Sequence, residues 1–436
     1  MLGRSVALNV LGSATGLAVG FVASLLLGRW LGASDRGLLG VMSAFSSVGV
    51  GVLGIGMPTA VMFFASLRET RSGALLGNSL AWGLLLAAVL VPTVWVAYRP
   101  LSELLARGQG DRSAWVLAAA LVPLTFVDWT THNQLLGRLR FGLYNVLVVL
   151  SKIATLVLVV VLVVALHLGL IGALLATGAA SLVMIAGSLP PLLREARPSV
   201  DLTLLRRLIT YGSRVQVGTI FQLLNYRLDI LILQAFAPLR VVGYYVVAQI
   251  MAELSTTIAS SFGTSILPLV AHAGSDEERS ATTADSLRHH GIVTAVVIVG
   301  NAAFGAAVIW WGYGAQYHSA VVPMLILLPS MWFLGTGQVV TGDLRGRGRP
   351  GLSSLLAGIT AAVTVALDLL LIPSFGADGA AIASAAAYTV FGIGSLLAIA
   401  RLSGRSVRSL VVPSRRDFAA YPAAARAARA RLRGRP

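Results

Sequence analysis

The sequence predicts an all-α polytopic membrane protein, with about twelve transmembrane helices in two six-helix lobes related by a pseudo-two-fold axis along the membrane normal. Three observations lead there. The 436 residues are 56% hydrophobic and 11% charged, with a mean hydropathy of +0.83, which is more apolar surface than one soluble core buries. The apolar residues run in stretches long enough for about 30 Å of hydrocarbon, which takes about 20 residues of helix. Motifs of the first half also recur in the second at a nearly constant offset.

The expected spans are 5–28, 38–66, 74–98, 114–136, 144–166 and 168–192, then 208–236, 241–271, 291–312, 319–342, 352–373 and 377–402. Residues 5–28 are too long for a signal-peptide core and no small-residue cleavage site follows closely, so they read as a retained first span. Two long uncharged stretches each hold two spans. His167-Leu-Gly-Leu-Ile-Gly172 divides the first, and Gly312-Tyr-Gly-Ala-Gln-Tyr-His-Ser319 divides the second. Glycine-rich breaks of this kind suit tight helical hairpins.

The duplication rests on three matches in the same order. Gly137-Arg-Leu-Arg-Phe-Gly142 recurs as Gly346-Arg-Gly-Arg-Pro-Gly351, 209 residues on. Gly169-Leu-Ile-Gly-Ala-Leu-Leu-Ala176 recurs as Gly376-Ala-Asp-Gly-Ala-Ala-Ile-Ala383 at an offset of 207, and the turn ending at Gly37 parallels that ending at Gly243 at 206. Six helices make an even number of crossings, so both halves enter the bilayer in one direction. Parallel repeats of this kind occur in transporters, with the substrate path between the halves. The expected organisation is a first lobe at 1–192, a cytoplasmic linker at 193–207, a second lobe at 208–402 and a basic tail at 403–436.

The net charge is +16. Its arginines sit in short loops and in the tail, which is the pattern of the positive-inside rule and not of a nucleic-acid surface. With the N-terminus inside, 24 of the 33 basic residues fall in cytoplasmic segments and six in outer loops: Arg29, Arg36, Arg99, Arg107, Arg112 and Arg240. Both termini are therefore expected in the cytoplasm of a multi-pass inner-membrane protein. The arginine- and alanine-rich tail would be drawn to anionic membrane lipids by about 1 kcal/mol per arginine near the surface.

Several chemistries have no residues to carry them. Cysteine is absent, which excludes disulfides and thiolate sites. Lys152 is the single lysine, so no phosphate-binding loop of the GxxxxGK type exists. The six histidines show no metal spacing, and His289 and His290 are expected in a solvated polar loop. No cofactor or metal is expected. An enzyme working on membrane glycolipids would carry a large outer loop, whereas the longest outer link runs only from 99 to 113.

Ionisable residues inside a span default to function, because each costs about 2.5–3.5 kcal/mol or more to insert. The candidates are Asp128, Lys152, Arg214, Arg227, Asp229, Glu253 and Asp368, of which Arg214 and Asp368 lie near span ends. Gln222, Asn225, Tyr226 and Asp229 follow i, i+3, i+4, i+7 spacing, which places a polar stripe on one face of span seven. Such a stripe turns toward a water-filled cavity or toward neighbouring helices. Asp128 and Lys152 lie at similar depth on consecutive spans, and the expectation is an ion pair, with His132 one turn from Asp128. Arg138, Arg140, Arg347 and Arg349 fall at the cytoplasmic mouth.

The pattern resembles a known family. Leu31-Gly-Ala-Ser-Asp-Arg-Gly37 is similar to the LGxxxxG-type turn of bacterial polysaccharide exporters. Arg138-Leu-Arg-Phe-Gly-Leu-Tyr-Asn145 resembles their link between spans four and five. Tyr226-Arg-Leu-Asp-Ile-Leu-Ile-Leu233 and Val241-Val-Gly-Tyr-Tyr-Val-Val-Ala248 resemble spans seven and eight. The likeness extends to about residue 402 and points to the oligosaccharide flippase branch of the multidrug/oligosaccharidyl-lipid/polysaccharide (MOP) exporter superfamily. It implies transfer of an undecaprenyl-pyrophosphate-linked oligosaccharide from the inner to the outer leaflet for surface polysaccharide synthesis. It also implies glycosyltransferases or a polymerase of the same pathway as partners. A pyrophosphate needs cations, and Lys152 and Arg227 supply one in each half. Two alternatives stay open. A cation-coupled multidrug exporter would need a deep first-lobe carboxylate, for which Asp128 is the candidate, and a lipid II flippase would usually have fourteen spans.

Overall fold

The computed structural model describes residues 2–67, 71–256, 266, 270 and 275–414. Among them the regular structure is helical throughout, with no strand. The helices are α1 (Leu2–Leu53), α2 (Met57–Ser66), α3 (Ser72–Ala106), α4 (Arg112–Gly137), α5 (Phe141–Leu158), α6 (Gly169–Glu195), α7 (Leu202–Phe236) and α8 (Leu239–Glu253). They continue as α9 (Asp276–Ala307), α10 (Val321–Gly346), α11 (Pro350–Ser403) and α12 (Val407–Val411). Eight helices of the described residues are long and apolar enough to cross a membrane. The chain is a polytopic all-α membrane protein.

Most of the anticipated breaks are present. A π-helical turn, Val159–Ala165, ends α5, and α6 starts at Gly169. A second π turn, Val308–Tyr313, and a 3-10 turn, Ala315–Ala320, lead from α9 to α10. Two breaks take another form. α1 has 52 residues and α11 has 54, so straight helices would be about 80 Å long at 1.5 Å per residue. Each instead bends at a single positive-φ glycine, Gly32 (φ 76°) and Gly376 (φ 54°), and so turns back without a loop.

The span expected at 38–66 is interrupted at Gly54-Ile55-Gly56, with Ile55 at φ 46° and Gly56 at φ 65°. A broken helix at membrane depth needs partners for its freed carbonyls. The indole of Trp82 donates to the Leu53 carbonyl at 3.1 Å, and the Gln216 amide donates to the Gly51 carbonyl. The break also admits the α7 backbone: a Cβ on Gly56 would stand 2.2 Å from the Gly212 carbonyl oxygen.

The chain packs as two compact units, one of residues 1–247, 309–319 and 372–377 and the other of 248–308, 320–371 and 378–436. In the first, α4 lies against α2, α3 and α6, and α7 runs along α1, α2 and α3. Its core includes Val50, Met57, Phe64, Leu75, Val122, Phe126 and Leu208. In the second, α9 packs on α10 and α12 around Leu287, Val339, Leu344 and Ile399. His290, expected in a solvated loop, is fully buried there. Ser275 caps the Glu278 N–H, so α9 begins at the cap and carries His290 inward to Thr294 (3.0 Å) and the Trp332 carbonyl (3.3 Å).

The repeats share local geometry. Arg140 N–H donates to the Leu135 carbonyl at 2.9 Å, and Arg349 N–H to the Leu344 carbonyl at 2.8 Å, 209 residues on. The residues inside these two turns, Leu139 (φ 59°) and Gly348 (φ 70°), are both left-handed, as are Gly169 (φ 53°) and Gly376 (φ 54°). A reciprocal crossing of α1 and α8 goes further. A Cβ on Gly37 would stand 1.9 Å from the Leu239 carbonyl oxygen, and one on Gly243 would stand 2.0 Å from that of Ala33. Leu239 and Gly243 follow Ala33 and Gly37 by the repeat offset of 206, so each contact is the image of the other, as a local two-fold requires.

Candidate functional site

The polar run of α7 turns inward. Asp229 is fully buried and Asn225, one turn earlier, nearly so. The Asp229 carboxylate accepts from the Tyr245 hydroxyl of α8 at 2.5 Å and from the Ile230 N–H at 2.8 Å. It therefore ties α7 to α8 through neutral donors. Tyr226 and Arg227 are half-buried. The side chain of Gln222 lies outside the described residues. Arg227 makes no hydrogen bond or ion pair among the described residues.

The anticipated Asp128–Lys152 ion pair is absent. Asp128, 8% exposed, has its Oδ1 3.1 Å from His132 Nδ1, and the His132 ring lies 5.5 Å from Tyr144. Lys152 lies along α1 instead. A Cβ on Gly16 or Gly20 would stand 3.9 Å from its stem, so the stem passes these two positions at ordinary contact distance. Equal depth was legible in the sequence; the direction of the side chain was not, since it depends on the helix that α5 packs against. Lys152 is exposed and has no ionic partner among the described residues. An ammonium cannot face lipid tails without one, so it faces water or an anion.

Three of the four mouth arginines are committed to carboxylates. Arg140 donates to Glu195 at 2.7 Å, and Arg138 approaches the same carboxylate at 3.8 Å. Arg347 donates to the fully buried Asp343 at 2.8 Å, which also accepts from Thr283 at 2.6 Å. Arg349 is exposed. Glu253 belongs to the other compact unit, half-buried at the end of α8, where its carbonyl accepts from the Thr256 hydroxyl at 2.8 Å.

The sequence did not mark Arg36, which had been assigned to an outer loop. It is 6% exposed. Its Nη2 donates to Ser24 Oγ at 3.0 Å, and Ser24 shares a 2.9 Å hydrogen bond with the Tyr313 hydroxyl. Tyr317 donates to the Gly28 carbonyl at 2.9 Å. Gly28 makes room for this cage, since a Cβ there would stand 2.3 Å from the Tyr313 ring. Arg36 Nε has no hydrogen-bond partner, and no carboxylate pairs with the guanidinium. Tyr313 and Tyr317 are 289 residues from their partners, and only their i, i+4 spacing hints at a shared face.

Among the described residues of the first compact unit, Lys152, Arg227 and Arg36 have no carboxylate partner. Its deep carboxylates, Asp128 and Asp229, are bound to His132 and Tyr245. Among the described residues, no group of three or more histidine or acidic side chains is placed to hold a metal ion.

A family model described as "Polysaccharide biosynthesis protein" matches residues 26–322. The chain belongs to that family. Members of the MOP superfamily share its fold. An inward-facing multidrug resistance MATE transporter superposes with a TM-score of 0.73 at 16% identity, over 90% of this chain and 98% of that one. The lipid II flippase MurJ, in an inward closed conformation, gives 0.79 at 13% identity, over 93% and 89%. An uncharacterized membrane protein of Methanocaldococcus jannaschii is 28% identical over 194 residues, 44% of this chain. The "Probable low-salt glycan biosynthesis flippase Agl15" of Haloferax volcanii is 24% identical over 190 residues, 42% of this chain. These matches span only 38% and 40% of the two relatives.

Proposed function

We propose that the chain flips a lipid-linked oligosaccharide, carried on undecaprenyl pyrophosphate, from the inner to the outer leaflet of the cytoplasmic membrane by alternating access. The observation that supports this best is the set of membrane-depth cations without carboxylate partners. Lys152 and Arg227 would take the pyrophosphate on a path that runs past Asp128, Asn225, Tyr226 and Asp229, and Arg36 would meet it on the outer side. Glycosyltransferases of the same pathway would supply the substrate. The lobes are 1–192 and 208–402, joined by the linker at 193–207. An inside-negative potential drives an anion outward by about 2.3 kcal/mol per charge per 100 mV, so no nucleotide is needed.

In proteoliposomes with a fluorescent undecaprenyl-pyrophosphate glycan, Lys152→Ala and Arg227→Ala should each slow flipping at least tenfold. The amount of folded protein should not change. Normal rates in both variants would end the reading. A second reading is supported by Asp128 and His132, a deep carboxylate held beside a titratable ring as a proton-coupled drug exporter would need. Asp128→Asn should abolish a proton-gradient response if that reading holds and should spare glycolipid flipping otherwise.

With both termini cytoplasmic, the cysteine-free chain offers a direct topological test. Cysteine at the exposed Ser34 should react with an impermeant reagent added outside intact cells, and cysteine at the exposed Ser275 should not. Labelling at Ser275 from outside would invert the orientation.

A further inference from the structure

We propose that a pocket of about 380 Å³ beside the N-terminus of α3 is a binding site for a phosphate-bearing anion, separate from the intramembrane cations. Its lining includes Arg71, Ser72, Gly73, Arg138, Glu195 and Arg197. All belong to the first compact unit.

The pocket is built by a segment that sequence alone reads as a linker. Residues 196–201, between α6 and α7, lie directly on the first turns of α3. A Cβ on Gly73 would stand 2.1 Å from the Arg197 carbonyl oxygen, and one on Gly77 would stand 2.2 Å from that of Ser199. The Ser199 N–H donates to the Gly73 carbonyl at 3.1 Å. Asn78 clamps Asp201 on both sides, donating to its carbonyl at 2.9 Å and accepting from its N–H at 3.0 Å. Asn78 itself is fully buried. The backbone of Arg197 is therefore fixed at the start of α3.

Three features make the cavity electropositive. The 35-residue helix α3 starts there with no side-chain cap and no acidic residue in its first turn, so nothing within that turn offsets the positive end of its dipole. The side chains of Arg71 and Arg197 make no hydrogen bond or ion pair among the described residues. The one carboxylate in the lining, Glu195, is already occupied: it accepts from Ser72 at 2.8 Å and from Arg140 at 2.7 Å, with Arg138 at 3.8 Å. Three arginines thus face one satisfied carboxylate. The volume matches small-molecule sites, which start near about 300 Å³. Guanidinium groups around a helix N-terminus bind phosphate oxygens through paired N–H donors. A lipid headgroup and a free phosphate or diphosphate share that chemistry.

The absence of native cysteine makes Ser199→Cys a clean probe, since Ser199 lines the pocket. The full-length variant is labelled with a neutral maleimide, in detergent and in nanodiscs of phosphatidylcholine with or without phosphatidylglycerol. Inorganic diphosphate should slow labelling, whereas chloride at equal ionic strength should not. Arg71→Gln with Arg197→Gln should raise the half-protecting concentration at least tenfold. Arg194→Gln, in the last turn of α6 and outside the pocket, should leave it unchanged. Protection by phosphatidylglycerol without added diphosphate assigns the site to a lipid headgroup; protection by diphosphate alone assigns it to a free anion. Either supports the site. No protection by either ligand, or equal protection in the Arg71→Gln/Arg197→Gln and Arg194→Gln proteins, overturns it. Folding of each variant is checked by gel filtration, with the Arg71→Lys/Arg197→Lys pair as the charge-preserving partner, expected to retain most protection. The readout does not use transport, so a failure here leaves the flippase reading standing, and failure of that reading leaves this site standing.

Discussion

Replacing Gly37 with valine is expected to remove folded protein from the membrane, and replacing Gly243 is expected to do the same. At either position even the first added carbon would stand within 2.0 Å of a backbone carbonyl oxygen of the facing helix, Leu239 in one case and Ala33 in the other. A side chain pressed on a flexible neighbour costs about 1–3 kcal/mol in overpacking. Here the neighbour is backbone on a packed helix, and neither side can rotate away. The loss must come from a total stability of only about 5–15 kcal/mol. The two contacts are images of one another, so the double variant should be no better than either single one. Gly300→Val in α9 is the control, because a Cβ there meets nothing within 4 Å. Fluorescence-detected gel filtration of tagged protein reads the outcome. Wild-type yield from Gly37→Val would mean that α1 and α8 do not cross at this point.

Glycine carried most of what the sequence revealed about the fold. The breaks near His167 and Gly314 are legible because glycine tolerates positive φ, as at Gly169 and Gly314, whereas the paired turns at 137–142 and 346–351 are legible through their repeated Gly-Arg pattern. The interruption at Gly54-Ile55-Gly56 was overlooked although it carries the same signal, followed by Pro58 at the first turn of α2. Its flanks stay apolar, and hydropathy averages across a break that a window of about 20 residues covers. The same averaging hid that Gly32 and Gly376 turn the chain without a loop.

Site residues were less legible, for a different reason. Residue type identifies an intramembrane charge, but its partner depends on which helices touch. Asp229 reads like a cavity residue and is bonded to Tyr245. Arg138 and Arg140 read only as arginines of the cytoplasmic mouth and are held on Glu195, 55 residues further on in the case of Arg140. Lys152 reads as an intramembrane charge, yet its stem runs past Gly16 and Gly20 of α1, which carry no polar signal at all.

Arg36 gives the sharpest separation of stability from function. Replacing it with methionine is expected to raise the unfolding temperature while abolishing transport. A buried guanidinium with an orphaned Nε and no carboxylate loses its hydration without recovering it. Exchange of buried ionic groups for apolar side chains of similar volume is often neutral or stabilising, by about 1–4 kcal/mol. The Ser24 hydroxyl keeps Tyr313 as a partner in the variant, so no new orphan is created there. A buried residue that costs stability points to a purpose other than packing, and under the proposed function that purpose is to meet phosphate. Arg36→Lys keeps the charge but loses the paired donors, and its flipping rate should fall between wild type and Arg36→Met. Thermal unfolding and the fluorescent-glycolipid assay on the same preparations decide the matter. If Arg36→Met unfolds at a lower temperature than wild type, the arginine is a structural post for Ser24, Tyr313 and Tyr317. If it is more stable and still flips the glycolipid at the wild-type rate, Arg36 has no part in transport.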